Sequence, residues 1–129
     1  MDFEPSRELD VLANRVIGAA IEVHRLIGPG FTEAVYEEAL CHELMLRSIP
    51  FSRQHAINLT YKGHPIGQGR LDILVDGQLI LELKAVEMVL AIHKAQLHSY
   101  LKATNLKLGL LINFNVPLLK NGIKRIIAK

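Results

Sequence analysis

Two charged pairs, Arg70 with Asp72 and Glu82 with Lys84, interrupt segments that otherwise read as buried strands. Leu71, Ile73, Leu74 and Val75 surround the first pair, and Leu79, Ile80, Leu81 and Leu83 the second. A charge in such a setting costs several kcal/mol unless it is paired or bound to metal. Two chemistries meet that requirement. One is an internal ion pair, Glu82 with Arg70 or Asp72 with Lys84, that ties the strands together. The other is a hard divalent cation held by both carboxylates, with the Leu83 carbonyl as a further oxygen donor. A cation so placed lowers the pKa of a bound water and neutralises charge developing on a phosphate. Lys84, beside the cluster, is then placed to orient the water or to stabilise the pentacovalent phosphorus.

Whether the two carboxylates meet depends on hairpin register. A two-residue turn at Asp76-Gly77 pairs Asp72 with Leu81 and points Asp72 and Glu82 to opposite faces. A three-residue connection, Asp76-Gly77-Gln78 with glycine in the left-handed position, pairs Asp72 with Glu82 and puts both on one face with Arg70 and Lys84. The metal chemistry requires the second register, which is the one expected here. It leaves Leu71, Ile73, Val75, Leu81 and Leu83 as an apolar face for a covering helix.

The elements that must position this hairpin are legible in the hydrophobic spacing. Ser6 with Glu8 and Asp10 opens a helix to about Ile27, with Leu9, Leu12, Val16, Ala20, Val23 and Ile27 three or four apart. Gly28-Pro29-Gly30 ends it. Thr32 caps a second helix to about Arg47, whose apolar face reads Val35, Ala39, Leu40, Leu44 and Met45. Pro50 stops that helix, an extended stretch follows to Tyr61, and Gly63-His64-Pro65 turns the chain. Strands at about 69–75 and 78–84 come next, then a helix over about 88–103 with Leu90, Leu97 and Leu101 on its apolar face. A strand at 108–114 and a short element around 123–127 complete the order.

Composition sets the class of protein. One domain spanning all 129 residues is expected, and 50% hydrophobic against 22% charged residues is enough to build a single core. The acidic start, Met1-Asp2-Phe3-Glu4, is not a signal peptide, and no apolar run is long enough for a membrane span, which predicts a cytoplasmic protein. Cys41 is the sole cysteine, excluding an internal disulfide and a multi-cysteine zinc site, and reads as a small buried hydrophobe. His42, His55, His64 and His98 are scattered without zinc spacing. The net charge of +2 conceals an asymmetry: residues 1–87 hold all 13 acids, whereas residues 88–129 hold seven bases and no acid. Such a one-sided basic segment suits a polyanion, with nucleic acid the obvious candidate.

A second polar pair follows the third strand. Gln96 and Tyr100 lie four apart and project from one helix face, with His93 one turn earlier. At this point the chain resembles the PD-(D/E)XK nuclease superfamily, especially RecB-like members whose D…E-x-K hairpin precedes a Q-x-x-x-Y helix. The matching residues are Asp72, Glu82-Leu83-Lys84 and Gln96-Leu97-His98-Ser99-Tyr100; Leu71 stands where the superfamily often has proline. The residues from Asn14 to His24 and from Gly28 to Leu40 are similar to the small bacterial GxxExxY family within it, through Gly30, Glu33 and Tyr36.

The resemblance implies an α/β, restriction-endonuclease-like PD-(D/E)XK core: a mixed sheet flanked by helices in αα-βββ-α-β order. It implies a nuclease hydrolysing phosphodiester bonds, DNA favoured over RNA, with Mg2+ or Mn2+ held by Asp72, Glu82 and the Leu83 carbonyl. It also implies Glu33 as a further ligand from the second helix, with Glu37 and His24 as substitutes. Lys84 would serve the attacking water, and Gln96 and Tyr100 would position Lys84, the substrate phosphate or the metal shell. Lys102, Lys107, Lys120 or Lys124 would hold the backbone, and a homodimer or protein partner would fit so minimal a chain. The alternative is a catalytically silent nucleic-acid-binding or protein-interaction module on the same fold.

Overall fold

The computed structural model describes residues 4–129; residues 1–3 of the acidic start lie outside the described residues. Helices α1 (Arg7–Ile27) and α2 (Glu33–Leu46) precede strands β1 (Phe51–Tyr61), β2 (His64–Val75) and β3 (Leu79–Lys84). Helix α3 (Ala91–Thr104), strand β4 (Leu108–Asn113), a single 3-10 turn at Leu119–Gly122 and strand β5 (Ile123–Ile127) follow. The sheet order is β1-β2-β3-β4-β5, antiparallel throughout except for the parallel β3–β4 pair. Helix α3 is the crossover that a parallel pair needs. This is the mixed α/β sheet expected of a restriction-endonuclease-like fold. No helix among the described residues is long and apolar enough to cross a membrane.

The sheet separates two apolar layers. On one side Leu9, Leu12, Val16 and Val23 of α1 and Leu40 and Leu44 of α2 pack on Ile73, Val75, Leu81, Leu83, Leu110 and Ile112. On the other, Leu97 and Leu101 of α3 meet Leu71, Ile80, Leu111 and Ile126. Leu71 therefore does not share a face with Ile73 and Val75 as strict alternation predicts. Its strand is irregular at Asp72: the β1–β2 pairing skips from Arg53↔Ile73 to His55↔Leu71, and the intervening Gln54 has a left-handed φ of 46°.

Local signals explain most helix limits. The Ser6 hydroxyl accepts the Leu9 N–H at 3.1 Å, whereas Thr32 precedes α2 without a side-chain cap. The buried face of α2 is Tyr36, Leu40, Cys41 and Leu44, leaving Val35 and Met45 exposed. The expected face is turned because Tyr36, which was not counted on it, is completely buried. Burial also pushes the Cys41 thiol up to about 11, as an inert core residue requires. Helix α3 starts at Ala91, so Leu90 lies outside it and is exposed. The β1–β2 hairpin is longer than its apolar content suggests. It turns at Lys62-Gly63, and Tyr61 pairs with His64 in strands whose outer ends are solvated.

Tyr36 explains its own burial. Its ring stacks on Phe114 with centroids 4.4 Å apart. Its hydroxyl donates to the Gly28 carbonyl at 2.6 Å and accepts the Phe31 N–H at 3.2 Å. The α1–α2 turn is thus pinned at both ends around Gly30, whose φ of 105° disfavours any side chain. Tyr36→Phe keeps the stack and strands both backbone partners. We expect a loss of about 1–3 kcal/mol, read as a melting temperature lower by roughly 5 °C or more in calorimetry.

Candidate metal centre

The β2–β3 ladder runs Val75↔Leu79, Leu74↔Ile80 and Ile73↔Leu81, which is the offset register. Asp76 and Gly77, with φ of 50° and 65°, make the three-residue connection that sets it. Beyond Ile73↔Leu81 the backbone pairing stops. The next donor, the Leu83 N–H, is taken instead by Oδ2 of Asp72 at 2.8 Å. A carboxylate has thus replaced a ladder carbonyl, so Asp72 is drawn in toward β3. Glu82 lies between Leu81 and Leu83, which both face the α1–α2 layer, and so projects to the α3 side. It is only 5% exposed, and its Oε1 is buried with no hydrogen-bond partner.

Crowding dominates the electrostatics. Burial raises the Asp72 pKa, Glu37 and Glu33 push the same way, and the Leu83 N–H and Lys84 oppose them. Burial likewise pushes Glu82 up to about 8, reinforced by the charge of Asp72 and by Glu33 and countered by the Asp72 amide and Lys84. Two carboxylates sharing a desolvated site in this way retain a proton near neutrality. The ion-pair reading is not what the structure forms. Among the described residues no salt bridge joins Lys84 or Arg70 to a carboxylate; Lys84 is half-buried and Arg70 is exposed.

The helices contribute unequally. His24 is committed elsewhere, its Nε2 lying 3.1 Å from the Phe114 carbonyl and 2.8 Å from that of Val116. Because both partners only accept, that nitrogen carries the proton. Glu37 accepts from Gln54 at 2.6 Å and from Arg53 at 3.0 Å. Glu33, in the first turn of α2, is exposed and holds no hydrogen bond, while its charge acts on both Asp72 and Glu82. Of the three helix residues it alone is uncommitted. Among the described residues no three His, Cys, Asp or Glu side chains close into a metal cluster. The ready side-chain donors are Asp72 and Glu82. They fit a hard divalent cation: carboxylate oxygens, one of them buried without a donor and another held by the Leu83 N–H.

Gln96 and Tyr100 share a face of α3, with the Gln96 amide donating to the Tyr100 hydroxyl at 3.3 Å. No hydrogen bond links either to Lys84 or the carboxylates. Tyr100 instead reaches the site region through Gly69, where a β-carbon would sit 3.0 Å from its Cε1. The close approach of α3 to β2 needs that glycine. His93 accepts the Leu90 N–H at 3.0 Å and so closes the N-terminal end of α3.

Sequence reading missed Asn113. Buried at the end of β4, it donates to the Val86 carbonyl at 2.9 Å and accepts the N–H groups of Val86 at 3.1 Å and Asn115 at 3.2 Å. It holds the segment leaving Lys84, whose carbonyl accepts the Phe114 N–H at 2.9 Å.

The raised Glu82 pKa fixes the sign of a stability effect. The unfolded chain titrates this group near 4.5 and the folded chain near 8. The neutral form is therefore favoured by folding, so its contribution is complete below about pH 4.5 and is lost as pH rises through about 8. In chelator, thermal melts of the native chain should fall between pH 5 and 8.5, Glu82→Gln should flatten that decline, and Mg2+ or Mn2+ should restore stability at the alkaline end. An identical decline in Glu82→Gln would show that other groups cause it.

A family model described as the PD-(D/E)XK nuclease superfamily matches residues 10–126. No curated protein and no solved structure matches the chain significantly. The matched span takes in the first helix, the carboxylate hairpin, the Gln96–Tyr100 helix and the closing strand. The chain belongs to the PD-(D/E)XK nuclease superfamily.

Proposed function

We propose that this protein is a divalent-metal-dependent nuclease of the GxxExxY branch, hydrolysing phosphodiester bonds in nucleic acid, with DNA favoured over RNA and Mg2+ or Mn2+ as the ion. The observation that carries the reading is the buried, unpartnered Oε1 of Glu82 beside Asp72. Among the described residues no hydrogen-bond donor meets that oxygen, and structural carboxylate oxygens are ordinarily hydrogen-bonded. Superfamily membership supplies the chemistry to which such an oxygen belongs.

In this reading Asp72, Glu82 and the Leu83 carbonyl hold the ion, and Glu33 closes the shell from α2. A divalent cation supplies Lewis acidity toward the scissile phosphate and acidifies water at the site. Glu82 must release its proton to become a ligand, so loading strengthens as pH rises toward 8. Asp72 keeps one oxygen on the Leu83 N–H, which fixes the direction of the other. Lys84, free of any ion pair, orients the attacking water and offsets charge accumulating on the phosphoryl oxygens. Gln96 and Tyr100 present an amide and a phenol from α3, to position Lys84, the substrate phosphate or the metal shell.

Purified protein with Mg2+ or Mn2+, incubated with single- and double-stranded DNA and RNA, should cleave at least one of them. Asp72→Asn, Glu82→Gln and Lys84→Ala should each lower the rate by about 100-fold or more, with melting curves showing intact folds. Cleavage that persists in chelator, or that these variants leave unchanged, would belong to a contaminant and sink the proposal.

A further inference from the structure

The register of the sheet carries the candidate metal centre toward a second feature. Glu82 pairs with Leu111 on β4, and Leu111 pairs with Lys124 on β5. Residues paired across strands project to the same face, so Lys124 leaves the sheet on the side of Glu82, two strands away. That is about 10 Å at ordinary strand spacing. There it lines a cavity of about 420 Å³ with Lys94 from the first turn of α3, Lys120 from the 3-10 turn and Arg125, floored in part by Ile17 and Ile126. Arg125 is already committed, its guanidinium 2.6 Å from Asp10. The three lysines have no acidic partner within ion-pair distance among the described residues.

The other basic residues of the C-terminal segment do not share this geometry. Lys102 and Lys129 line a separate cavity with His98 and Ser99. Lys107 precedes Leu108, which pairs with Leu79 at the opposite end of the sheet from Glu82 and Lys84. The sequence asymmetry thus resolves into one group of cations gathered around Lys124, in the row of Glu82, and another away from it.

We propose that the cleft formed by Lys94, Lys120 and Lys124 is a phosphodiester-backbone subsite, which seats a nucleic-acid strand so that a bond farther along the same strand lies over Asp72 and Glu82. This deepens the nuclease reading and rests on it for the position of the scissile bond. Three uncompensated ammonium groups around an open cavity suit successive phosphates along a strand, each of which carries one negative charge. The lysines act as point charges without reading base identity, so the subsite grips and orients the strand without selecting sequence.

The test measures binding apart from cleavage. In an Asp72→Asn background with chelator, the affinity for a fluorescent single-stranded DNA oligonucleotide is followed against salt concentration. A triple variant, Lys94→Ala with Lys120→Ala and Lys124→Ala, should make the log–log salt slope shallower by about 2 and weaken binding tenfold or more at 0.1 M salt. A charge-matched control, Lys102→Ala with Lys107→Ala and Lys129→Ala, should leave the slope near that of its parent. All six positions are exposed, and melting curves confirm that each variant is folded. Equal flattening in both triples would mean that net charge, not the cleft, drives binding, and would overturn the proposal; so would an unchanged slope in the first. Cleft-dependent binding by native protein that never cleaves would uphold the subsite while removing the nuclease reading.

Discussion

The hydrogen bond from the Leu83 amide to the Asp72 carboxylate is where this sheet gives up regularity. A buried amide has to find an acceptor, and in an uninterrupted hairpin a carbonyl of β2 would supply it. The ladder ends instead at Ile73↔Leu81, and the acceptor is a side chain with a charge. That substitution brings a carboxylate to the middle of a sheet whose neighbours are leucines and isoleucines, and it does so next to a second one. The resulting desolvation and repulsion are unfavourable in the protein alone, which is why the Asp72 and Glu82 pKa values rise. Strain of this electrostatic kind collects at functional sites because a cation or a substrate relieves it. A register shifted by one residue would separate the two carboxylates onto opposite faces and remove both the cost and its use.

Holding such a site open demands support from groups that stand outside it. The ends of β3 and β4 receive that support from buried polar contacts. His24 bridges the carbonyls of Phe114 and Val116, Tyr36 stacks on Phe114, and Asn113 clamps Val86. These contacts hold the strand ends from outside the carboxylate pair, through hydrogen bonds to backbone groups and one ring stack. The Gly30-Glu33-Tyr36 motif divides along the same line. Tyr36 turns inward to fix the α1–α2 connection, and Glu33, three residues earlier on α2, remains solvated with its charge directed at the carboxylate pair.

Much of this was readable from local pattern, and the failures have physical causes. Helix and strand order followed from spacing and from Gly and Pro positions, and the hairpin register followed from the demand that Asp72 and Glu82 meet. The buried face of α2 was misread because Val35, Ala39 and Met45 were placed on it by hydrophobicity alone, whereas the large ring of Tyr36, its hydroxyl met by the Gly28 carbonyl, turns a different stripe of the helix inward. Leu71 was assigned to the wrong layer because a strand irregularity opposite Gln54 leaves no trace in alternation. His24 looked like a spare ligand since its true partners lie 90 and 92 residues along the chain. Asn113 left no signal at all: an asparagine after an apolar strand reads as a turn former, and only the fold brings Val86 to it.

The two charge features of the chain are one arrangement seen from the sheet. Glu82, Leu111 and Lys124 form a row that begins with excess negative charge at β3 and ends with uncompensated positive charge at β5. Separated by about 10 Å, these ends are too far apart to neutralise each other by contact, and the apolar Leu111 between them offers no relay. Under the proposed function, a strand of nucleic acid reaching both ends of this row, outside the α3-covered Leu111, would supply phosphates to the lysines and, once a cation sat on the carboxylates, a phosphate to that cation as well. The same polyanion would be repelled from Asp72 and Glu82 in their ionised, metal-free state. In that reading metal loading and strand binding would favour each other through ordinary Coulomb forces. The near-neutral net charge of the chain is thus the sum of two separated fields, which the proposed function would set against different parts of one ligand.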